Sequence, residues 1–283
     1  MEKLKNYLVA KSIGLFLNLL SYVKPEKASV LAYRFFSEPR TGRLAKENLP
    51  PVLKNNFYET LTRGEHQFQT YFWPGNDNVI LLVHGWESNA SRWENFLPFL
   101  QQTGSTIVAI DAPAHGLSPG RELNLMMYAE VIDAAAKKFN PQFLVGHSVG
   151  AASCIYYQSK YQNPAIRKIV SLGAPSDLKV IFRNYVSLLS LNTRISTLME
   201  QYFIDRFRFK IEDFSAKIFS SSVKTRGIIA HDISDEVVSI EEAKKIAGSW
   251  KNAVFFETKG LGHSLHDEAL YKKVCDFLFD ADR

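Results

Sequence analysis

The stretch Gln142-Phe-Leu-Val-Gly-His-Ser-Val-Gly-Ala-Ala-Ser-Cys-Ile-Tyr156 decides the fold class. A short apolar run, Phe143-Leu-Val145, reads as a buried strand, and Ala151 to Tyr156 reads as the start of a helix. Between them, Gly146 and Gly150 flank one serine, Ser148. A strand that turns straight into a helix leaves no room for a Cβ where the two backbones approach. Glycine meets that constraint, and the strained turn holds the serine hydroxyl clear of the sheet.

Outward from this turn, β-rich runs alternate with helical patterns from about residue 66 onward. Strands are predicted at 66–73, 78–83, 106–110, 142–145, 168–172, 225–230 and 253–257. Helices are predicted near 92–101, 123–139, 149–161, 240–249 and 266–279. The alternation defines an α/β class with a mostly parallel central sheet flanked by helices. Residues 176–224 interrupt it with a tract too long for a loop or a single crossover helix. Rich in Leu, Ile, Phe, Tyr and Arg, this tract is expected to form a helical cap over the strand ends, where ligands bind in such sheets. The expected organisation is a core of 65–175 and 225–283, the cap insertion at 176–224, and an N-terminal helical arm, 1–64, on or beside the core.

Composition agrees with a folded chain: of 283 residues, 46% are apolar and 22% charged, with 15 Gly and 11 Pro, which excludes a disordered or collagen-like protein. The two cysteines, Cys154 and Cys275, build neither a disulfide framework nor a Cys-x-x-Cys pair, so a reducing, cytoplasmic setting is expected. The net charge of +5 is uneven: residues 1–64 carry 11 Lys/Arg against 5 Asp/Glu (+6), whereas 65–283 carry 23 against 24 (−1). The near-neutral body lacks a nucleic-acid-binding motif, so no nucleic-acid partner is expected.

The longest uncharged run near the start, Ser12 to Val23, has 12 residues, short of the roughly 20 that span a bilayer. Lys3, Lys5 and Lys11 precede it, but no small-x-small site follows, so a cleaved leader is not expected. As a helix it gathers Lys11, Gly14, Asn18 and Ser21 into a narrow polar stripe, with Leu8, Leu15, Phe16, Leu19, Leu20 and Val23 around the rest. Pro25 ends it, a second helix is predicted at 26–36, and Pro39, Pro50 and Pro51 mark irregular chain. Two readings stand: the helices pack on the main domain, or a basic amphipathic arm makes a weak peripheral membrane contact through residues 1–40.

In its strand-to-helix setting, Gly146-His-Ser-Val-Gly150 resembles the nucleophile elbow of the α/β-hydrolase family, in its serine esterase and lipase-like branch. The resemblance extends over about residues 66–279 and implies a catalytic order of Ser, acid, His. A serine hydroxyl needs a histidine to take its proton, and that histidine needs a carboxylate to fix its tautomer. The resemblance makes Ser148 the nucleophile and His263, in Gly260-Leu-Gly-His-Ser264, the base, with His266 as the neighbouring candidate. His84, His115 and His147 match motifs that serve loop structure in the family, while His66 and His231 lie in strand contexts. For the acid, Ile228-Ile-Ala-His-Asp-Ile-Ser-Asp-Glu-Val-Val238 offers Asp232, Asp235 and Glu236. The family pattern falls on Asp235, with Asp232 the alternative as a turn-shaping residue. Backbone N–H groups of Trp86 and Val149 match the oxyanion donors, and the Trp86 ring either borders the acyl pocket or packs under the following loop.

The function implied is hydrolysis of a carboxylic ester through an acyl-enzyme, with an apolar acyl or aryl substrate favoured by the aromatic insertion. The same constellation serves acyl transfer, thioester cleavage or C–C bond hydrolysis, or a non-catalytic small-molecule binder. No metal is expected, since His263 and His266 lack a third ligand and no His-Glu-x-x-His occurs; no cofactor is expected either.

Overall fold

A computed structural model describes residues 2–54, 56–64 and 66–280. The first helices are α1 (Glu2–Val23), α2 (Pro25–Ser37) and the single turn α3 (Pro51–Lys54). Then follow β1 (Phe57–Arg63), β2 (His66–Trp73), β3 (Asn76–Val83), α4 (Leu97–Gln102), β4 (Ser105–Ile110), α5 (Leu125–Phe139), β5 (Phe143–His147), α6 (Val149–Tyr161) and β6 (Lys168–Leu172). The chain continues through α7 (Leu178–Leu189), α8 (Thr193–Phe207), α9 (Ala216–Ser220), β7 (Arg226–Asp232), α10 (Ile240–Ala247), β8 (Ala253–Thr258) and α11 (Glu268–Phe279). Two compact units divide it: Met1–Glu38 with Asp177–Ser215, and Pro39–Ser176 with Ala216–Arg283.

The larger unit holds one sheet of order β1-β2-β4-β3-β5-β6-β7-β8. The β1–β2 and β2–β4 pairings are antiparallel and the remainder parallel. Its strands read as continuous apolar runs because both faces are covered. On one face Leu81, Val83, Val108, Leu144, Ile169 and Ile229 meet residues of α5, α6 and α10. On the other, Ile80, Leu82, Ile107, Val145, Val170 and Ile228 meet residues of α4 and α11. Parallel registry brings strand ends to a common edge: Gly146 lies opposite Val83 and Ser171, Leu172 opposite Ala230, and Asp232 opposite Thr258.

One strand was not predicted. Residues 57–63, placed by the sequence reading within the N-terminal arm, form β1 at the sheet edge, and residues 39–64 group with the sheet. The strand was hidden because it pairs on one side only and buries little: of its described side chains, Leu61 alone reaches the main core, and then only partly.

The smaller unit joins the first two helices to the insertion. Gly14 lets α1 settle on the end of α7, since a Cβ there would lie 1.6 Å from the Leu189 carbonyl oxygen. The Lys11 ammonium donates to the carbonyls of Ser187 (3.2 Å) and Leu188 (2.9 Å) and to Ser190 Oγ (2.8 Å), supplying positive charge where a helix C-terminus leaves carbonyls unpaired. Asn18 donates to the Ser190 carbonyl (2.9 Å) and accepts from Asn192 N–H (2.8 Å), and Arg194 Nε donates to the Ser21 carbonyl (3.0 Å). From α2, Tyr33 and Phe36 pack edge-on against Phe203 at 5.6 and 5.8 Å between ring centres, and Phe36 meets Tyr185 at 5.2 Å.

The last helix is held by an unusual group. Lys168, fully buried at the start of β6, donates to the carbonyls of Phe277 (2.9 Å), Leu278 (3.2 Å) and Asp280 (2.9 Å) and pairs with the Asp280 carboxylate. Lys168→Met keeps the stem and removes the ammonium, leaving buried carbonyls without that donor. It should cost about 2–4 kcal/mol and lower the Tm by on the order of 5–10 °C. Thermal melts of the two proteins check this, and coincident curves would mean that the ammonium does not hold α11.

Candidate active site

All the sequence-predicted site residues lie in the larger unit. Ser148 follows β5 directly and caps α6 with φ 53° and ψ −125°, a conformation a non-glycine residue rarely adopts. Its neighbours explain how it is held there. A Cβ on Gly146 would lie 2.5 Å from the Ala151 Cα, and one on Gly150 would lie 2.3 Å from the carbonyl oxygens of Val83 and His84. The Ser148 N–H donates to the Leu172 carbonyl (2.8 Å) on the adjacent strand.

The structure brings together three of the sequence-predicted side chains. His263 Nε2 lies 3.1 Å from Ser148 Oγ, and His263 Nδ1 lies 2.7 Å from Asp235 Oδ2. Since the carboxylate accepts, Nδ1 carries the proton, which leaves the Nε2 lone pair to accept from the serine hydroxyl. The second oxygen of Asp235 accepts from the Val237 and Val238 N–H groups (2.8 and 2.9 Å), so the fully buried carboxylate is held at both ends. His266, the neighbouring candidate, is exposed and faces Tyr271, with Nδ1 2.6 Å from the phenol oxygen. Glu236 is exposed on the same loop as Asp235.

Asp232 takes the other role that the sequence left open. It accepts from the Ser234 N–H (2.9 Å), Thr258 Oγ1 (2.8 Å) and the Leu261 N–H (2.9 Å), tying the β7 loop to the one carrying His263. Burial pushes its pKa up, but the hydrogen bonds from Leu261, Thr258 and Ser234 outweigh burial and hold it down at about 2.

His84 and His115 are structural supports. His84 donates from Nδ1 to the Gly85 carbonyl (2.7 Å) and accepts at Nε2 from the Ala112 N–H (2.9 Å); burial pushes its pKa down to about 3, so it stays neutral. His115 accepts from the Glu87 N–H (3.0 Å), and its ring lies 5.4 Å from the edge-on Trp86. The Trp86 indole is partly buried against the main core. The backbone of Gly85, the residue before it, runs beside the serine, for a Cβ there would lie 2.9 Å from the Ser148 Cβ. Val149 is the first residue of α6, so its N–H has no acceptor within the helix and sits at the helix's positive end.

Three side chains support these loops, of which the sequence reading had given loop structure as the role of His147 alone. His147 Nε2 donates to the His263 carbonyl (2.8 Å), and Arg92 donates to the Ser264 carbonyl (2.6 Å), so both hold the histidine loop. His231 lies with Nε2 3.3 Å from Asp235 Oδ2 while donating to the Val238 carbonyl (2.8 Å). The i, i+4 spacing of His231 and Asp235 was a visible signal; Arg92, 172 positions from Ser264, carried none. Among the described residues no group of three or more His, Cys, Asp or Glu side chains is placed to hold a metal ion.

With this geometry in view, the comparisons with known proteins fall into place. A model of the alpha/beta hydrolase fold matches residues 78–227, more than half the chain. The chain therefore belongs to the alpha/beta-hydrolase fold family. A serine hydrolase-like protein of Dictyostelium discoideum is 36% identical over 78 residues, covering 25% of this chain and 22% of that protein. Phospholipase YtpA of Bacillus subtilis is 28% identical over 104 residues, covering 34% and 40%. These matched segments span well under half of those relatives' lengths. Among solved structures, the Pyrococcus furiosus esterase Pf2001 aligns with a TM-score of 0.65 at 18% identity, over 85% of this chain and 98% of its own. The mouse alpha/beta hydrolase domain-containing protein 10 aligns with a TM-score of 0.62 at 16% identity, over 78% and 98%.

The role of Asp232 is open to direct test. A carboxyl group with a depressed folded-state pKa adds stability that is present above the unfolded pKa of about 3.9 and lost as pH falls toward 2. Urea unfolding midpoints of the parent chain should therefore drop over that window, and those of Asp232→Asn should drop less. Parallel pH profiles for the two proteins would contradict the assignment.

Proposed function

We propose that this alpha/beta hydrolase is a serine hydrolase that cleaves carboxylic esters through an acyl-enzyme. The observation that carries the reading is the relay of 3.1 Å from Ser148 Oγ to His263 Nε2 and 2.7 Å from His263 Nδ1 to Asp235 Oδ2. Ser148 Oγ attacks the acyl carbon while its proton passes to His263 Nε2, and the buried Asp235 carboxylate stabilises the resulting imidazolium. The carbonyl oxygen gains negative charge, which the backbone N–H groups of Val149 and Trp86 stabilise. Collapse expels the alcohol, which takes the proton from Nε2. Water, deprotonated in turn by His263, then releases the acid and restores the serine.

The serine hydrolase-like and phospholipase relatives support hydrolysis, and the phospholipase supports an ester with an apolar acyl group. The aromatic insertion supports it less than its sequence suggested. Phe182, Tyr185 and Phe203 are buried in the smaller unit against Tyr33 and Phe36 of α2, so their apolar surface is already used in packing.

Ser148→Ala should lower kcat/KM for p-nitrophenyl esters by at least about a thousandfold and abolish labelling by a fluorophosphonate probe, with circular dichroism unchanged. Asp235→Asn, which presents the wrong partner to Nδ1, should cost on the order of ten-thousandfold in kcat. Ester hydrolysis undiminished in the serine variant would remove the nucleophile from Ser148 and the mechanism with it.

A further inference from the structure

The helix α1 turns a polar stripe and one fully buried leucine, Leu17, toward the protein and leaves most of its apolar side chains outside. Its polar stripe, Lys11, Gly14, Asn18 and Ser21, is the side bound to the α7–α8 turn. Its other side is apolar and open: Leu15 is 61% exposed, Phe16 53%, Leu19 61% and Val23 75%, with Leu8 and Tyr22 alongside. Soluble proteins scatter single apolar residues over their surfaces, but a contiguous stripe of this kind along one helix marks a contact surface.

The charges around the stripe select the occupant. From residue 3 to residue 25 the sequence holds four lysines and no Asp or Glu. Lys11 is turned inward, whereas Lys5 and Lys24 are exposed toward the two ends of the apolar stripe, Lys27 is exposed on α2, and the Arg194 guanidinium lies 5.2 Å from the centre of the Tyr22 ring. An apolar face rimmed by cations fits the boundary between anionic headgroups and acyl chains. A second copy of the chain fits less well, because two-fold pairing of identical faces sets lysine near lysine, with the exposed Glu26 at the start of α2 as a lone carboxylate beside Lys24 and Lys27. Among the described residues no helix is long and apolar enough to cross a membrane, so the contact is one in which the helix lies along the surface.

We infer that α1 is an interfacial helix that binds anionic lipid bilayers in plane through Leu8, Leu15, Phe16, Leu19, Tyr22 and Val23. The helix keeps its polar stripe on the protein and needs no refolding to bind, since the apolar face is already turned outward. The inference concerns attachment and is independent of the catalytic reading.

The test is sedimentation of the full chain with phosphatidylcholine vesicles, with and without about 30 mol% phosphatidylglycerol. The parent chain should pellet with the anionic vesicles and bind them less as salt is raised, because screening weakens the lysine contribution. The triple substitution Leu15→Ser, Phe16→Ser and Leu19→Ser changes exposed side chains, so its melting temperature should match the parent's. Its partition coefficient should fall by at least about a hundredfold, given the apolar area lost from each site. Equal partitioning of the two proteins, or a parent chain that stays in the supernatant, would overturn the inference. So would a parent dimer that the triple substitution dissociates without any vesicle binding, which would make a second copy the occupant of this face.

Discussion

Ser148 occupies φ 53° and ψ −125°, and much of the larger unit serves to keep it there. A serine placed in such a conformation gives up on the order of 1–3 kcal/mol, which the surrounding contacts must offset. Those contacts are backbone on backbone. The Gly150 Cα lies so near the carbonyls of Val83 and His84, and Gly146 so near Ala151, that α6 sits against the ends of β3 and β5 with no intervening side chain. The parallel pairing of β3, β5 and β6 fixes those ends in register, and the Leu172 carbonyl takes the Ser148 N–H. The sheet is the jig, and the strained serine is what it holds.

The same logic extends to the two loops that bring in His263 and Asp235. Neither loop has the hydrogen bonds of a strand or helix to define it, so buried polar groups do the work. Asp232 ties the loops together, His147 and Arg92 grip the backbone at 263 and 264, and the Val237 and Val238 N–H groups orient Asp235. Apart from the exposed Val237, these are buried or half-buried groups whose loss leaves a partner unsatisfied, which makes the arrangement selective for one geometry. Several imidazoles thus act as supports: His84 and His147, both held neutral by burial, give fixed donors and acceptors.

What the sequence made legible follows from how local each constraint is. The glycines around Ser148 and the apolar strand runs declare themselves within a few residues, and the seven strands expected from 66 onward are all present to within a few positions. The choice between His263 and His266, or between Asp235 and Asp232, turned on which side chain reaches a partner more than twenty positions away. Spacing alone leaves that open, and only coordinates show Asp232 filled by three donors. The edge strand β1 was lost for a different reason, since a strand paired on one side needs few buried apolar residues and leaves little pattern to read.

The helix α1 shows why amphipathic pattern fixes two faces without saying which is inside. The usual inference places the apolar face inward, and among the described side chains of α1 only Leu17 follows it to full burial, because the α7–α8 turn offers carbonyls and a cap that polar groups satisfy. That demand originates some 170 residues further along the chain, where no reading of residues 1–23 alone can find it. The dependence runs both ways. Helices of 12 and 15 residues such as α7 and α8 are marginal in isolation, and the rings they bury, Phe182, Tyr185 and Phe203, find much of their packing on Tyr33 and Phe36. The first two helices and the insertion are therefore two halves of one folding unit, each supplying the surface on which the other becomes stable, although the first six strands of the sheet separate them in the chain.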